Sequence, residues 1–186
     1  MKRRPPGGPS FVSIDFETAN PSPDSACAIG IAVVRNGEVA ERLAWLIRPP
    51  RLYFHPFFIG IHGITPARVA AEPTFDRVWR EVAGLIGGLD IVAHNAAFDS
   101  KVMAASLRAY GLALPDNRWF CTVRIARRLW PGWPSYRLSA VAARMGISFR
   151  HHDAAEDAAA CAAIAALACR ETGALTLMEL ARRLKL

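Results

Sequence analysis

The sequence contains few cysteines, and their spacing excludes several classes of protein. Its four cysteines, Cys27, Cys121, Cys161 and Cys169, are widely scattered and form no C-x-x-C pair. This spacing excludes a zinc knuckle and a dithiol redox motif, and it fits reduced thiols in a cytoplasmic protein. Cys161 and Cys169 lie in an alanine-rich helical pattern and are expected to be small core residues.

Long hydrophobic runs and internal repeats are also absent. The first ten residues, MKRRPPGGPS, are basic, but prolines and glycines stand where a signal peptide needs its apolar region. Every apolar stretch further along is too short or too interrupted to span a bilayer. The 186 residues, 52% of them hydrophobic, are therefore expected to form one main domain over residues 10–170. Residues 1–9 are expected to be a flexible basic N-terminus, and residues 171–186 a C-terminal helix packed on the domain.

The balance of charge favours a polyanionic partner. Lysine and arginine number 23 against 16 aspartates and glutamates, which gives a net charge of +7. A basic surface attracts nucleic acid, although many basic proteins bind none. Charge alone therefore leaves the partner open.

The order of predicted elements indicates an α/β fold. Residues 10–15 predict a strand, and the segment ACAIGIAVVRNGEVAERLAWLI predicts two more, joined at Asn36-Gly37, a dipeptide suited to a tight hairpin. A proline-rich aromatic loop then leads to a helix with Thr74 as its N-cap. Short strands at DIVAH and RWFCT alternate with helices over the remainder. This order favours a mixed sheet flanked by helices.

The stretch FVSIDFETAN ends an apolar strand in two carboxylates. Alternation along a strand places Asp15 and Glu17 on one face and Phe16 on the other. Two close carboxylates raise each other's pKa unless a cation lies between them. An isolated D-x-E is equally typical of a solvated turn, so the pair alone does not define a site.

Further acidic residues occur at two predicted helix starts. Asp99 follows the short strand in VAHNAAFD, and Asp157 lies in the first turns of the helix that begins in RHHDAAEDAAA, with four residues between His152 and Asp157. Each has an alternative explanation, because acidic side chains stabilise helix N-termini and a lone histidine is usually structural or at the surface.

Taken together, carboxylates from three chain segments match the oxygen ligands that Mg²⁺ or Mn²⁺ prefers. Two such ions suit phosphodiester hydrolysis, because they activate a water and neutralise the leaving 3′ oxygen. His152 is the natural proton acceptor for that water, since the ordinary pKa of histidine is about 6.5.

Three motifs, DFET, HNAAFD and HHDAAEDA, resemble in order and spacing the exonuclease motifs of the DnaQ-like, DEDDh family of 3′-to-5′ exonucleases. Its members include the epsilon subunit of bacterial DNA polymerase III and ribonuclease T. The segment HGIT at residues 62–65 also looks like a family segment that lies beside the bound nucleotide. The matches run over residues 10–170, which makes this region the expected exonuclease domain.

The resemblance implies a ribonuclease H-like fold, with a five-stranded mixed sheet flanked by helices, and His152 as the general base. The related DEDDy group has a tyrosine four residues before the last aspartate, where this chain has Asp153, so the histidine branch is indicated. His151 is one residue too far from Asp157 to match the base. The resemblance also implies two Mg²⁺ or Mn²⁺ ions held by Asp15, Glu17, Asp99 and Asp157.

Residues beside the motifs are expected to surround the terminal nucleotide. For the apolar ones, packing in the core is the alternative, since apolar residues beside strand ends usually point inward. The insertion WPGWP, with Trp130 and Trp133, is expected to be a packed loop more than an exposed contact patch. The expected substrate-binding residues are Phe16, Thr18, His62, Ile64, Asn95 and Phe98.

The combined prediction is a metal-dependent 3′-to-5′ exonuclease that releases nucleoside 5′-monophosphates from the 3′ ends of single-stranded or frayed DNA. The alternatives are an RNA-specific 3′ exoribonuclease and a nucleic-acid-binding module that keeps the fold without catalysis. A pure binder gains nothing from carboxylates that face phosphate, which argues against the module. No membrane partner is expected, and a polymerase or repair partner and the oligomeric state stay open.

Overall fold

The computed structural model describes residues 7–186, so the predictions for residues 1–6 lie outside the described residues. The strands are β1 Gly8–Thr18, β2 Ala26–Asn36, β3 Glu38–Leu46, β4 Ile91–Ala93 and β5 Trp119–Cys121. The helices are α1 Pro56–His62, α2 Pro66–Val69, α3 Phe75–Ile86, α4 Ala96–Ala109, α5 Thr122–Leu129, α6 Leu138–Arg144, α7 Ala154–Thr172 and α8 Leu177–Leu184.

The strands form one mixed sheet in the order β3-β2-β1-β4-β5, with β1 at its centre. β1, β2 and β3 pair antiparallel, whereas β4 pairs parallel to both β1 and β5. The hairpin between β2 and β3 turns at Asn36 and Gly37, whose φ angles are +55° and +80°. Positive φ at both central residues is the geometry that favours Asn-Gly. The predicted five-stranded mixed sheet is confirmed.

Each face of the sheet carries its own apolar layer, and β1 contributes to both. Phe11 packs in one layer with Ile164 of α7, whereas Val12 and Ile14 pack in the other with Val82 of α3. Because successive side chains of a strand point to opposite faces, the odd-numbered Asp15 shares the α7 side with Phe11. The α7 face is therefore the side on which carboxylates from β1 and α7 can meet.

The beginning of α7 lies unusually close to β2. A Cβ atom added to Gly30 would lie 1.9 Å from the carbonyl oxygen of Ala154, and Gly30 is the direct partner of Asp15 in the β1–β2 ladder. Glycine inside a strand often marks such a close approach of another backbone. The missing side chain thus lets the start of α7 reach the level of Asp15.

Two short helices occupy a region predicted as loop. His55 caps α1 with its side chain and Pro56 stands at the first helical position, while Thr65 and Pro66 play the same roles in α2. Seven and four residues are too short to show a helical apolar period, so the capping residue followed by proline was the available signal. β1 also begins at Gly8, inside the segment 1–9 that was predicted to be flexible.

The C-terminal helix and the tryptophan loop both pack against the domain. α8 buries Leu177, Leu180 and Leu184 in the layer under α7. The rings of Trp130 and Trp133 stack with centroids 5.5 Å apart and pack against the same layer. Within residues 7–186, no single helix is long and apolar enough to cross a membrane. Helices α7 and α8 have the required length and apolar content only when they are taken together, and a bend of 62° separates them.

Candidate active site

The end of β1 extends past its neighbour β4, and this overhang creates a place for Asp99. β1 pairs with β4 only at Val12 and Ser13, so the Phe16 N–H further along has no strand partner on that side. Asp99 Oδ1 accepts a hydrogen bond from Phe16 N at 3.0 Å. The first turn of α4 is thereby docked beside Asp15 and Glu17.

Asp157 reaches the same point from α7. Asp157 is 4% exposed, because the start of α7 packs directly over β2. Asp153 caps the helix by accepting a hydrogen bond from Glu156 N at 3.4 Å, which fixes the first turn that carries Asp157.

The structure brings the four predicted carboxylates together. One carboxylate oxygen from each of Asp15, Glu17 and Asp157 falls within 4.8 Å of the others, a separation suited to a shared cation. Asp99 is not part of this tight group and accepts a hydrogen bond from Phe16 N through Oδ1, but its negative charge acts directly on Asp15. We call Asp15, Glu17, Asp99 and Asp157 the carboxylate cluster.

The electrostatics of the carboxylate cluster favour a bound cation. Burial, followed by the charges of Asp99 and Asp157, raises the pKa of Asp15 well above its usual range. Burial and the neighbouring carboxylates raise the pKa of Glu17 to about 8. Burial raises the pKa of Asp99 to about 7, although two backbone hydrogen bonds act in the opposite direction. Hard divalent cations relieve such repulsion, so these oxygen donors fit Mg²⁺ or Mn²⁺.

The two histidines before α7 sit differently from what the spacing predicts. His151 Nδ1 lies 2.9 Å from Asp157 Oδ1, whereas His152 contacts Asp157 Oδ2 only through its backbone N–H, at 3.0 Å. His152 has a left-handed φ of +67°, so the chain reverses there and returns the His151 side chain over Asp157. Although His151 is one residue too far from Asp157 to match the base by spacing, this turn brings its ring within hydrogen-bond distance of Asp157.

Both histidine rings remain near the cluster. They stack with centroids 3.9 Å apart, and both are exposed. Within residues 7–186, the ring nitrogens of His152 make no hydrogen bond, whereas Nδ1 of His151 is engaged by Asp157. Burial and the neighbouring His151 lower the pKa of His152, against the opposing effect of Asp157. Ligand atoms of His151, His152 and Asp157 also lie within 4.8 Å of one another.

A cleft of about 700 Å³ opens beside Glu17 and His152. Its walls are the end of β3, the α1–α2 segment and the loop before α7. Arg68 on α2 lines the cleft and makes no ion pair within the described part of the chain. The lining of the cleft thus includes the carboxylate of Glu17 and the unpaired positive charge of Arg68.

The predicted substrate-binding residues divide into buried and exposed groups. The buried side chains are those of Phe16, Thr18 and Ile64, and Phe16 packs on Phe75 with ring centroids 6.4 Å apart. Asn95 and Phe98, at the start of α4, are exposed, and 43% of Phe98 is accessible. Of this group, Asn95 and Phe98 therefore have exposed side chains, whereas His62 and Ile64 line the cleft.

His62 has both ring nitrogens engaged by the backbone. Ile64 N donates to Nδ1 at 3.0 Å, so the neutral ring carries its proton on Nε2 and donates to the Thr18 carbonyl oxygen at 3.1 Å. Burial lowers the pKa of His62, which favours this neutral form. His62 consequently ties the segment HGIT to the end of β1, and its ring nitrogens are not free for a nucleotide.

Two residues with a positioning role were not singled out by sequence reasoning. Gly30 permits the approach of α7, and its signal was an isolated glycine inside an apolar strand. His94 binds Thr122 Oγ1 through Nδ1 at 2.8 Å and the Tyr136 carbonyl through Nε2 at 2.9 Å, which anchors the residue before Asn95. Nothing in the sequence around His94 indicates these distant partners.

A mixed five-stranded sheet with acidic side chains at the end of its central strand defines a ribonuclease H-like, nuclease-type fold. In agreement, residues 12–165 match the RNase_T family model, which is described as Exonuclease. The chain is 36% identical over 133 residues to the 3′-5′ exonuclease DinG of Bacillus subtilis, covering 69% of this chain and 14% of that protein.

Two further relatives match most of the chain. The DNA polymerase III subunit epsilon of Aquifex aeolicus is 30% identical over 153 residues, which cover 80% of this chain and 75% of that protein. The solved structure of exonuclease X in complex with 5′ overhanging duplex DNA is 30% identical, with a TM-score of 0.74, and the match covers 88% of this chain and 93% of that one. The chain belongs to the DnaQ-like family of 3′-to-5′ exonucleases.

Proposed function

We propose that this chain is a metal-dependent 3′-to-5′ exonuclease that releases nucleoside 5′-monophosphates from the 3′ ends of single-stranded or frayed DNA. The observation that carries the proposal is the carboxylate cluster, in which oxygens of Asp15, Glu17 and Asp157 converge within 4.8 Å and Glu17 lines the 700 Å³ cleft. Buried carboxylates with raised pKa values are costly to the fold, so their convergence points to a function.

The carboxylate cluster is proposed to hold two divalent cations. When bound, Mg²⁺ or Mn²⁺ supplies an activated water and neutralises charge on the phosphate and on the leaving oxygen. Asp15, Glu17 and Asp157 offer the ligand oxygens, and the free oxygen of Asp99 completes the set. The hydrogen bond from Phe16 N keeps Asp99 aligned during the reaction.

His152 is proposed as the general base. It lines the cleft, its ring nitrogens are free of hydrogen bonds within residues 7–186, and its lowered pKa keeps the ring neutral at pH 7. A neutral imidazole can take the proton of the attacking water. His151 is the competing base that the structure adds, because its bond to Asp157 leaves Nε2 as an acceptor.

DNA is the substrate we favour over RNA. Exonuclease X was solved with a duplex DNA, and the epsilon subunit is named for a DNA polymerase, which are properties of those proteins that we extend to this chain as part of the proposal. The choice between the two sugars depends on how the site treats a 2′-hydroxyl. We likewise propose a cytoplasmic location, because all four cysteines are free thiols. We assign no polymerase partner.

The test uses purified protein and labelled DNA and RNA oligonucleotides with either the 3′ or the 5′ end blocked. With Mn²⁺ or Mg²⁺ we expect 5′-monophosphates released stepwise from a free 3′ end, and no release when that end is blocked. EDTA should abolish the reaction and added metal should restore it.

Three outcomes would overturn this assignment. Hydrolysis that survives exhaustive chelation would exclude the metal mechanism. Cleavage within a circular single strand would indicate an endonuclease on the same fold. Binding of single strands without any hydrolysis under these conditions would favour the non-catalytic module.

A further inference from the structure

The two histidines before α7 and the carboxylate of Asp157 form a second set of metal-binding atoms, which differs in chemistry from the carboxylate cluster. One ligand atom from each of His151, His152 and Asp157 lies within 4.8 Å of the others. The proposed reaction uses His152 for a proton and Asp157 for a divalent cation, and it requires no role for His151. The convergence of two imidazole rings on one carboxylate is therefore not explained by that reaction.

The contact between His151 and Asp157 has nearly the spacing of two ligands on one ion. His151 Nδ1 lies 2.9 Å from Asp157 Oδ1. Two ligands with bonds of about 2.0–2.1 Å to a tetrahedral zinc ion lie roughly 3.3 Å from each other. A neutral imidazole carries one proton, and when that proton is on Nε2, the lone pair of Nδ1 can bind an ion in place of the hydrogen bond.

His152 can supply the third ligand because its ring is exposed and unengaged. Its ring nitrogens make no hydrogen bond to the described part of the chain, and its backbone N–H donates to Asp157 Oδ2 at 3.0 Å. That bond leaves Asp157 Oδ1 for an ion. The rings of His151 and His152 stack with centroids 3.9 Å apart, so their side chains must turn to aim both nitrogens at one ion. Exposed side chains change rotamer within nanoseconds.

The donor atoms of this set select a transition metal over magnesium. Mg²⁺ and Mn²⁺ prefer the oxygen ligands of the carboxylate cluster, whereas imidazole nitrogen suits Zn²⁺. Three protein ligands and one water form a common coordination of zinc. His151 and His152 both line the cleft, so a water molecule can reach the fourth position.

We propose that His151, His152 and Asp157 bind Zn²⁺ and that this ion inhibits the exonuclease reversibly. The inhibition rests on the proposed function, in which His152 accepts the proton of the attacking water. A neutral imidazole has one free lone pair, so a His152 ring that binds Zn²⁺ can no longer take that proton. The same ion also takes Asp157 Oδ1 from the carboxylate cluster.

Co²⁺ is the probe for the metal site, because it replaces Zn²⁺ and is coloured. Purified protein in excess Mg²⁺ is titrated with Co²⁺. We expect the strong visible absorption of tetrahedral Co²⁺, with one ion per chain, and added Zn²⁺ should remove it. Octahedral Co²⁺ on oxygen ligands absorbs only weakly, which distinguishes this site from the carboxylate cluster. His151→Ala should lower the Co²⁺ affinity at least about tenfold, since even changes around a metal ligand cost 10- to 100-fold.

The activity test measures how Zn²⁺ inhibits hydrolysis of an oligothymidylate at saturating Mg²⁺. Each variant is compared with its own rate without zinc. The Zn²⁺ concentration that halves the rate should be at least about tenfold higher for His151→Ala than for wild type. A chelator that prefers Zn²⁺ to Mg²⁺ should restore the wild-type rate.

His55→Asn is the matched control. His55 is also an exposed histidine, and asparagine keeps a side-chain acceptor for the bond from Phe57 N that caps α1. This variant should match wild type in both Co²⁺ absorption and Zn²⁺ inhibition.

The two measurements keep this inference separate from the proposed function. The absence of tetrahedral absorption, or absorption and inhibition that His151→Ala leaves unchanged, would overturn the zinc site. Zinc binding that leaves an active enzyme uninhibited would overturn the inhibition. A wild type that hydrolyses nothing with Mg²⁺ or Mn²⁺ would refute the exonuclease proposal and the inhibition with it, while the Co²⁺ absorption would still decide whether the site binds metal.

Discussion

The carboxylates and the histidines of the cleft are held in opposite ways. The carboxylates project from regular elements, β1, α4 and α7, and Asp99 and Asp157 are 2% and 4% exposed. His151 and His152 stand on the loop before α7, and both are exposed. The cluster is thus built into the core, whereas the histidines rest on its surface.

Under the proposed function, this difference fits separate physical tasks for the two regions. Metal ligands must converge from distant segments. Buried hydrogen bonds, such as the one from Phe16 N to Asp99, hold carboxylates in position without a bound ion. A general base needs one free ring nitrogen and a pKa below working pH, which an exposed loop residue can supply. We therefore expect substitutions in the cluster to separate activity from stability, and substitutions in the loop to affect activity alone.

The largest effect is expected for Asp15→Asn. The substitution should lower turnover by about 10³-fold or more, because a proposed metal ligand is lost. The metal-free variant should melt at the same temperature as wild type or above it, since the raised pKa of Asp15 shows that its charged form opposes folding. Thermal melts in EDTA, beside oligonucleotide hydrolysis in Mn²⁺, measure both quantities.

Asp116→Asn provides the control for Asp15→Asn, because Asp116 is an exposed aspartate outside the cluster. It should change neither quantity. A large drop in melting temperature for Asp15→Asn would show that the carboxylate cluster stabilises the fold. The expected separation of activity from stability in the cluster would then be wrong.

The next effect concerns the two histidines. His152→Ala should reduce kcat by roughly 10²- to 10⁴-fold while metal binding survives, because the cluster is intact. His151→Ala should reduce kcat less than His152→Ala does, since His151 only orients the Asp157 side chain, which the fold already buries. Single-turnover rates at saturating Mn²⁺ separate chemistry from binding. If kcat fell more in His151→Ala than in His152→Ala, His151 would be the general base.

The pH profile sharpens the same comparison. Because the pKa of His152 is lowered from 6.5, its neutral form prevails at pH 7, and the rate should rise with pH only in the acid range and then level off. The acid limb should be absent from the residual activity of His152→Ala. A limb that persists in this variant would assign the titration to another group.

A moderate effect is expected for the glycine that positions α7. Gly30→Ala places a methyl group against the Ala154 carbonyl and should lower the free energy of unfolding by about 2–3 kcal/mol, with loss of activity as Asp157 shifts. Gly84→Ala is the control, since nothing lies within 4 Å of its Cβ position in α3. It should stabilise by about 0.5–1 kcal/mol. Urea denaturation distinguishes the two; equal effects would mean that α7 can move away from β2 at no cost.

The smallest effect comes from His94, a histidine held by the fold on both ring nitrogens. Burial lowers its pKa, so the stability it contributes is present above pH 6.5 and is lost as the pH falls through the lowered folded-state pKa. His94→Gln should lose on the order of 1 kcal/mol at pH 7 and show a weaker loss of stability between pH 7 and pH 5. Urea titrations at several pH values test this, and parallel curves for variant and wild type would contradict it.

Local sequence patterns were enough for the strands and for the identity of the acidic residues. The hairpin at Asn36-Gly37 and the single-face placement of Asp15 and Glu17 follow from turn chemistry and strand alternation. The helices α1 and α2 were missed because short helices lack an apolar period. The position of His151 was missed because the left-handed φ of His152 is not encoded by spacing.

The sequence by itself determined which side chains are available to the site and on which elements they lie, because alternation, capping and turn preferences act over a few neighbouring residues. Only the tertiary structure decided how those side chains meet. Asp99 reaches Phe16 N across 83 residues, and α7 reaches Asp15 because Gly30 leaves room for the Ala154 carbonyl. Such contacts depend on packing between elements that are distant in the chain, and no local preference specifies their distance or direction.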